Sequence, residues 1–240
     1  MLLFKDYLQE LKLTLRCHDE LNPKLWNNEK LKPEVRKTLI TFAETWASFA
    51  KIPKSMFQDI IMTGGNANFD YTHLSDIDVH IICDRSKLFS DPKFVEEYLQ
   101  SKKSLWTLTH KNVNVFGYPL EPYAQDVGIK YPKGQGVYSL MKDKWLQKPT
   151  TCDIDPNDVF IKQKVKHFMH VIDHMIDHNM GADSFNTVKD KLKNLRASSI
   201  AEHGEYGRDN LVFKELRNRG YLDKMNNYQI LKKDKELSLN

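Results

Sequence analysis

The sequence predicts an α/β (α+β) protein, a small mixed sheet flanked by helices and followed by a C-terminal helical module. Three observations carry this. Apolar Ile77, Val79 and Ile81 alternate with Asp76, Asp78 and His80, the period of a strand with one buried face. Before and after this run, apolar residues recur at helical spacing. Beyond residue 150 only helical periods recur, which divides the 240-residue chain into 1–150, a sheet with N-terminal helices, and 151–240, a helical domain.

Phe4, Leu8, Leu11 and Leu15 predict a first helix, and Leu39, Phe42, Trp46 and Phe49 a second. Leu21-Asn-Pro23 punctuates the chain between them, Pro33 suits the first turn of the second helix, and Ile52-Pro53 closes it. Asp59-Ile-Ile-Met62 then reads as a short strand that ends on Gly64-Gly65, and Asn66–Tyr71 as a helical turn leading to the acidic strand. Asp91-Pro92 has the form of an N-cap with proline at the first helical position, opening a helix through Phe94, Val95, Tyr98 and Leu99. Val113 and Val115 alternate with polar residues and Gly117 permits a bulge, so a strand is expected to run on towards Asp126. Gly128 to Pro149 reads as a linker with a short hairpin, or, because Tyr138 and Trp145 lie in it, as a loop over a bound base. Asp155-Pro156 caps a helix carrying Ile161, Val165, Phe168, Ile172 and Met175. A second carries Val188, Leu192, Leu195 and Ile200, and a third carries Leu211, Phe213 and Leu216 and stops near Gly220.

The chemistry concentrates in the acidic strand. Residues two apart on a strand lie roughly 6.5–7 Å apart at Cα and point the same way, so Asp76 and Asp78 share a face. Two carboxylates so placed can share a pair of divalent ions, which in two-metal sites lie about 3.5–4 Å apart. The preceding Gly64-Gly65 lets the backbone approach a ligand closely, and the turn after it can aim N–H groups at a phosphate.

A glycine turn, ten residues, then Asp-x-Asp on a strand resembles the nucleotidyltransferase superfamily built on the DNA polymerase β type palm; Gly64-Gly65 and Asp76-Ile77-Asp78 match that pattern. The local wording, Thr-Gly-Gly-Asn-Ala-Asn and Tyr-x-x-x-Ser-Asp-Ile-Asp, is similar to predicted nucleotidyltransferases of tailed phages. The resemblance implies transfer of a nucleoside monophosphate from a nucleoside triphosphate to a hydroxyl, with release of pyrophosphate and two Mg²⁺ ions, replaceable by Mn²⁺. It implies metal ligands and catalytic residues at Asp76 and Asp78 and a third carboxylate on a neighbouring strand. Glu121 is preferred for that role over Asp126, because it lies inside its strand while Asp126 ends it. Nucleotide contacts are expected from Gly64, Gly65, Asn66 and Ser75. Family members commonly have serine where Gly65 stands, so Asn66 or Ser75 is expected to supply the missing side-chain hydrogen bond. That departure also keeps open a nucleotide-binding module without turnover, in a phage regulatory or anti-defence role.

Asp-x-Asp alone is unspecific. Haloacid-dehalogenase-like phosphatases carry threonine two residues after the second aspartate, where this chain has His80, and a glycosyltransferase would leave the glycine turn without a purpose. His170, His174 and His178 stack on one helix face, but no third-ligand motif accompanies them, and a solvated surface is the expectation. The net charge of +4, from 36 basic and 32 acidic residues, does not argue for nucleic acid. Basic clusters at Lys162, Lys164 and Lys166, at Lys189, Lys191, Lys193 and Arg196, and at Lys232, Lys233 and Lys235 read as solvated helix faces or, alternatively, as the lining of a cleft for a triphosphate or an RNA end. Three cysteines with no Cys-x-x-Cys pair argue against a disulfide framework and for a reducing, cytoplasmic setting, the host cytoplasm if the protein is phage-encoded. No signal peptide and no membrane span are expected. The acceptor, whether an RNA end, a protein or a small molecule, and the oligomeric state are not legible.

Overall fold

A computed structural model describes residues 11–238. The chain falls into two compact units, residues 17–152 and residues 153–238 together with 11–16.

The first unit is built on a mixed sheet. After a small antiparallel pair, β1 (Trp26–Asn27) and β2 (Lys30–Leu31), come α1 (Pro33–Phe49), β3 (Phe57–Thr63), β4 (Ile77–Cys83), α2 (Pro92–Thr109), β5 (Asn114–Val115), β6 (Tyr118–Asp126), β7 (Val137–Ser139) and β8 (Lys144–Gln147). The sheet order is β5-β6-β4-β3-β7-β8; only β4 and β6 run parallel. Parallel neighbours need a crossover, and α2 supplies it. The mixed α+β class expected from the sequence is the one observed.

Alternation divides the sheet into two faces. Ile60, Met62, Ile77, Val79 and Ile81 join the main core, where α1 contributes Val35, Leu39, Phe42 and Trp46 and α2 contributes Val95, Leu99 and Trp106. These helical positions recur at intervals of three, four or seven, so each helix presents one apolar stripe. Asp91 caps α2 by accepting from Lys93 N–H at 2.9 Å, with Pro92 in its first turn. The opposite sheet face carries Asp59, Asp78 and His80 beside a small apolar patch, Ile61, Ile82 and Val137, on which Val127 and Tyr131 pack. The short hairpin expected within residues 128–149 is β7–β8, but the segment is more than a linker. It closes over this patch and adds β7 and β8 to the sheet. Trp145 stacks on Trp26 with ring centroids 4.8 Å apart, and Tyr138 meets both edge-on, so Tyr138, itself buried, serves packing.

The helical unit contains α3 (Val159–Asp177), α4 (Ala182–His203), α5 (Arg208–Asn218) and α6 (Tyr221–Leu237). The cap of α3 is Asp158, which accepts from Ile161 N–H at 3.1 Å, three residues after the expected Asp155, which instead accepts from Asn157 N–H. α6 buries only Met225, so it has almost no periodic signal to read. The helix expected through Leu11 and Leu15 is absent from the described residues, and Phe4 and Leu8 lie outside them. Residues 11–16 are extended: Leu11, Leu13 and Leu15 are buried while Lys12 and Arg16 are exposed, a period of two. The Thr14 N–H and hydroxyl donate to the fully buried Glu215 carboxylate at 2.9 and 2.8 Å, and Arg219 Nε donates to the same carboxylate at 2.6 Å. The segment is thus a strap held on α5 by charge-assisted hydrogen bonds, which are about twice as strong as neutral ones.

Cys17 and Cys152 form a disulfide across a sequence separation of 135, joining the first and last residues of the sheet-bearing unit, and Cys83 is buried and free. The sequence reading, which argued against a disulfide framework, did not anticipate this bond. An odd count and no short spacing hide a pair that only the completed fold brings together. For a loop this long, the chain-entropy model puts the stabilisation at about 5 kcal/mol at most. Guanidinium unfolding of the oxidised protein should therefore show a higher midpoint than that of the Cys17→Ser, Cys152→Ser variant, and a reductant should abolish the difference.

Candidate metal centre

The site begins where β3 ends. Thr63 pairs with Asp78 across the antiparallel β3–β4 ladder, and the chain then turns at Gly64 with φ +80°. A Cβ on Gly64 would lie 2.0 Å from Asp78 Oδ2, so glycine is required both by its backbone conformation and by the closeness of that carboxylate. Gly65–Ala67 forms a single 3₁₀ turn, whose opening N–H groups have no acceptor within the turn.

Asn66, the middle residue of this turn, is fully buried. Its side chain donates to the Asp76 carbonyl at 2.8 Å and accepts from Asn22 Nδ2 at 2.8 Å, while Trp26 Nε1 donates to its carbonyl at 2.8 Å. Its side chain is thus a strut between the glycine turn and the start of the acidic strand. Asn68 braces the other side, donating to the Gly64 carbonyl at 2.9 Å and accepting from Gly136 N–H at 2.6 Å. Ser75 is buried, and its Oγ accepts from Thr72 N–H at 2.9 Å. A Cβ on Gly65 would lie 3.0 Å from that same Oγ. The Ser75 hydroxyl therefore reaches the space beside the turn that a longer side chain at position 65 would enter.

Asp76 precedes β4 and Asp78 lies within it, while the parallel register sets Asp78 directly beside Glu121 on β6. Each of the three offers a carboxylate oxygen, and these oxygens lie within 4.8 Å of one another. All three residues are half-buried. Asp126 pairs with Cys83 at the far end of the strand, roughly 16 Å along it from Glu121, and accepts from the Arg85 and Val127 N–H groups. It takes no part in the cluster. Three hard oxygen donors without a histidine or cysteine suit Mg²⁺, which favours carboxylates and retained waters. Among the described residues no other group of His, Cys, Asp and Glu converges in this way. His170, His174 and His178 are exposed along α3.

A second row of polar residues backs the cluster. On β4 and β6 the next residues on the same face are His80 and Tyr123, which pair in register with ring centroids 4.6 Å apart. His80 Nδ1 and Gln125 Oε1 are 2.6 Å apart. The Tyr123 hydroxyl donates to Glu121 Oε2 at 2.8 Å, and Lys103 Nζ on α2 reaches the same oxygen at 2.8 Å. Burial, then the negative charges of Asp78 and Glu121, push the Tyr123 phenol well above its ordinary range, so it remains a donor. Burial also holds the His80 imidazole down at about 4. The period of two could have revealed His80 and Tyr123 beside Asp78 and Glu121. Lys103, on a helix crossing elsewhere in the sequence, had no such signal.

No family model matches the chain, and no curated protein matches it. Among solved structures, a STING-associated CdnE c-di-GMP synthase from Capnocytophaga granulosa aligns at 13% identity over 80% of this chain and 62% of that chain, with a TM-score of 0.24. At that score the likeness carries no weight for fold or activity. No helix among the described residues is long and apolar enough to cross a membrane.

Two outcomes follow from the geometry. Gly64→Ala puts a side chain at φ +80° and ψ −169°, a backbone region essentially reserved to glycine that costs about 1–3 kcal/mol, and drives a methyl into the Asp78 carboxylate; thermal melts should shift down and Mn²⁺ binding should be lost, whereas wild-type behaviour in both would contradict the packing described. Separately, the unfolded chain takes up a proton on His80 near its ordinary value of 6.5, while the folded chain refuses it until about 4. Stability should therefore fall as pH drops from 6.5 towards 4, by at most about 3 kcal/mol from this group. Denaturant melts in EDTA across that window should show a steeper loss for the wild type than for His80→Gln.

Proposed function

We propose that the protein is a metal-dependent nucleotidyltransferase, moving a nucleoside monophosphate from a nucleoside triphosphate to a hydroxyl acceptor. The observation that carries this reading is the convergence of Asp76, Asp78 and Glu121 within 4.8 Å, directly beside a glycine turn that only glycine can make. Membership of the nucleotidyltransferase superfamily, with a motif worded like that of tailed-phage proteins, is part of the same proposal.

A pair of Mg²⁺ or Mn²⁺ ions in this cluster would acidify the acceptor hydroxyl and neutralise the leaving pyrophosphate. Asp76 and Asp78 are the residues to hold both, and Glu121 the one to hold the acceptor-side ion. On this reading the opening N–H groups of the turn at Gly64-Gly65 would contact the phosphates, and the Ser75 hydroxyl beside the turn would supply the hydrogen bond of the family's serine. Asn66 contributes through the turn it braces, since its own side chain is committed. In the transfer, the acceptor oxygen bonds to the α-phosphorus, the bond to the bridging oxygen breaks, and the hydroxyl proton leaves to solvent.

The acceptor, an RNA end, a protein or a small molecule, is open on this reading, as is the oligomeric state. The reaction is assigned to the cytoplasm, that of the host if the protein is phage-encoded. The specific feature favouring a binding module without turnover is Gly65 in place of serine. Incubation with labelled nucleoside triphosphates and Mg²⁺ separates the two readings: an enzyme releases pyrophosphate, a binding module retains nucleotide unchanged. Asp78→Asn should keep its fold and lose about 10²–10³-fold or more in rate, the several kcal/mol expected of a metal ligand. Undiminished transfer by that variant would refute the metal-centred reading.

A further inference from the structure

Three carboxylates drawn within 4.8 Å of one another repel, and each raises the cost of ionising the others. Lys103 lies at this cluster although no feature of the sequence announces it. It projects from α2, with Leu99 and Trp106, four residues before and three after it, buried in the main core. Its ammonium is 2.8 Å from Glu121 Oε2 and 3.4 Å from the centroid of the Tyr123 ring, and its side chain is only 18% exposed. The Tyr123 hydroxyl donates to that same Oε2 at 2.8 Å. One oxygen of Glu121 therefore receives two donors, one of them a cation seated over an aromatic face.

We infer that Lys103 is a built-in counter-ion of the carboxylate cluster, neutralising Glu121 when metal is absent and competing with the cation that Glu121 would hold. The inference rests on the metal-centred reading of the same three carboxylates. An ammonium and a divalent cation beside one carboxylate repel each other, so the second ion must either displace the lysine or bind against its charge. Tyr123 keeps its hydrogen bond to Glu121 in either case, so the carboxylate stays oriented when the ammonium withdraws. Lys103 is on this account a positioning and affinity-setting residue, outside the set that touches the reacting atoms. The alternative, that it merely orients Glu121 for metal, makes the opposite forecast for its removal.

The test is Mn²⁺ binding without nucleotide, followed by calorimetry and by the electron paramagnetic resonance signal of free Mn²⁺. Lys103→Met keeps the stem and removes the charge, and Lys103→Gln is a second variant in case the first does not fold; circular dichroism and melting curves verify both. The expected result is tighter binding of the weaker Mn²⁺ ion by about tenfold in each variant, with Lys103→Arg staying close to the wild type. Unchanged or weaker binding in the charge-removing variants, with wild-type protein still taking up Mn²⁺, would overturn the role of Lys103 and leave the metal centre standing. If the wild type and every Lys103 variant bound no Mn²⁺, the metal centre itself would fail, and the inference with it.

Discussion

Like charges must be held together here against their own repulsion, and that constraint explains why the surrounding residues are what they are. Asp78 needs Gly64, because a side chain there would overlap its carboxylate. Asp76 sits at the end of a loop tied down by Asn66 and Asn22, two residues with no exposed role. Glu121 is kept in place by donors on two elements, Tyr123 and Lys103. Remove the parallel β4–β6 register and the third carboxylate leaves the other two; the sheet order is in this sense part of the chemistry.

Much of this was legible in the chain before folding. Asp76 and Asp78 announce a shared strand face, because the period of two is a local property. Gly64-Gly65 announces a turn for a similar reason. Glu121 could be nominated but not secured against Asp126, since the choice depends on register, which is set by pairing across a crossover. Lys103 is the opposite case: its importance arises only from where α2 crosses the sheet, and a lysine among polar residues on a helix is ordinary. The strut role of Asn66 was equally hidden, because a polar residue after a glycine turn looks like a ligand contact until its burial is known.

The errors at the chain's edges have the same root. Leu11 and Leu15 fit a helical spacing, but Leu13 between them is also buried, and the whole set serves a strap pinned to Glu215. The stretch 210–224 contains this anchor. Asn210 and Glu215 are fully buried in hydrogen bonds, and Lys214 meets Glu205 at 2.6 Å with both side chains only 10% exposed. Breaking such a pair strands a buried charge, which gives the motif a structural reason to exist. The Cys17–Cys152 bond was invisible for a different reason, since no local spacing links two residues that meet only when the sheet-bearing unit closes.

The central claim is that these three carboxylates form one metal-loaded site facing the glycine turn. Diffraction from crystals grown with Mn²⁺ and a non-hydrolysable nucleoside triphosphate tests it most directly, because the anomalous signal locates the ions independently of the protein map. The account predicts anomalous peaks bounded by Asp76, Asp78 and Glu121, with the triphosphate lying along Gly64 and Gly65. Ions bound elsewhere, or a triphosphate with no contact to the turn, would contradict it.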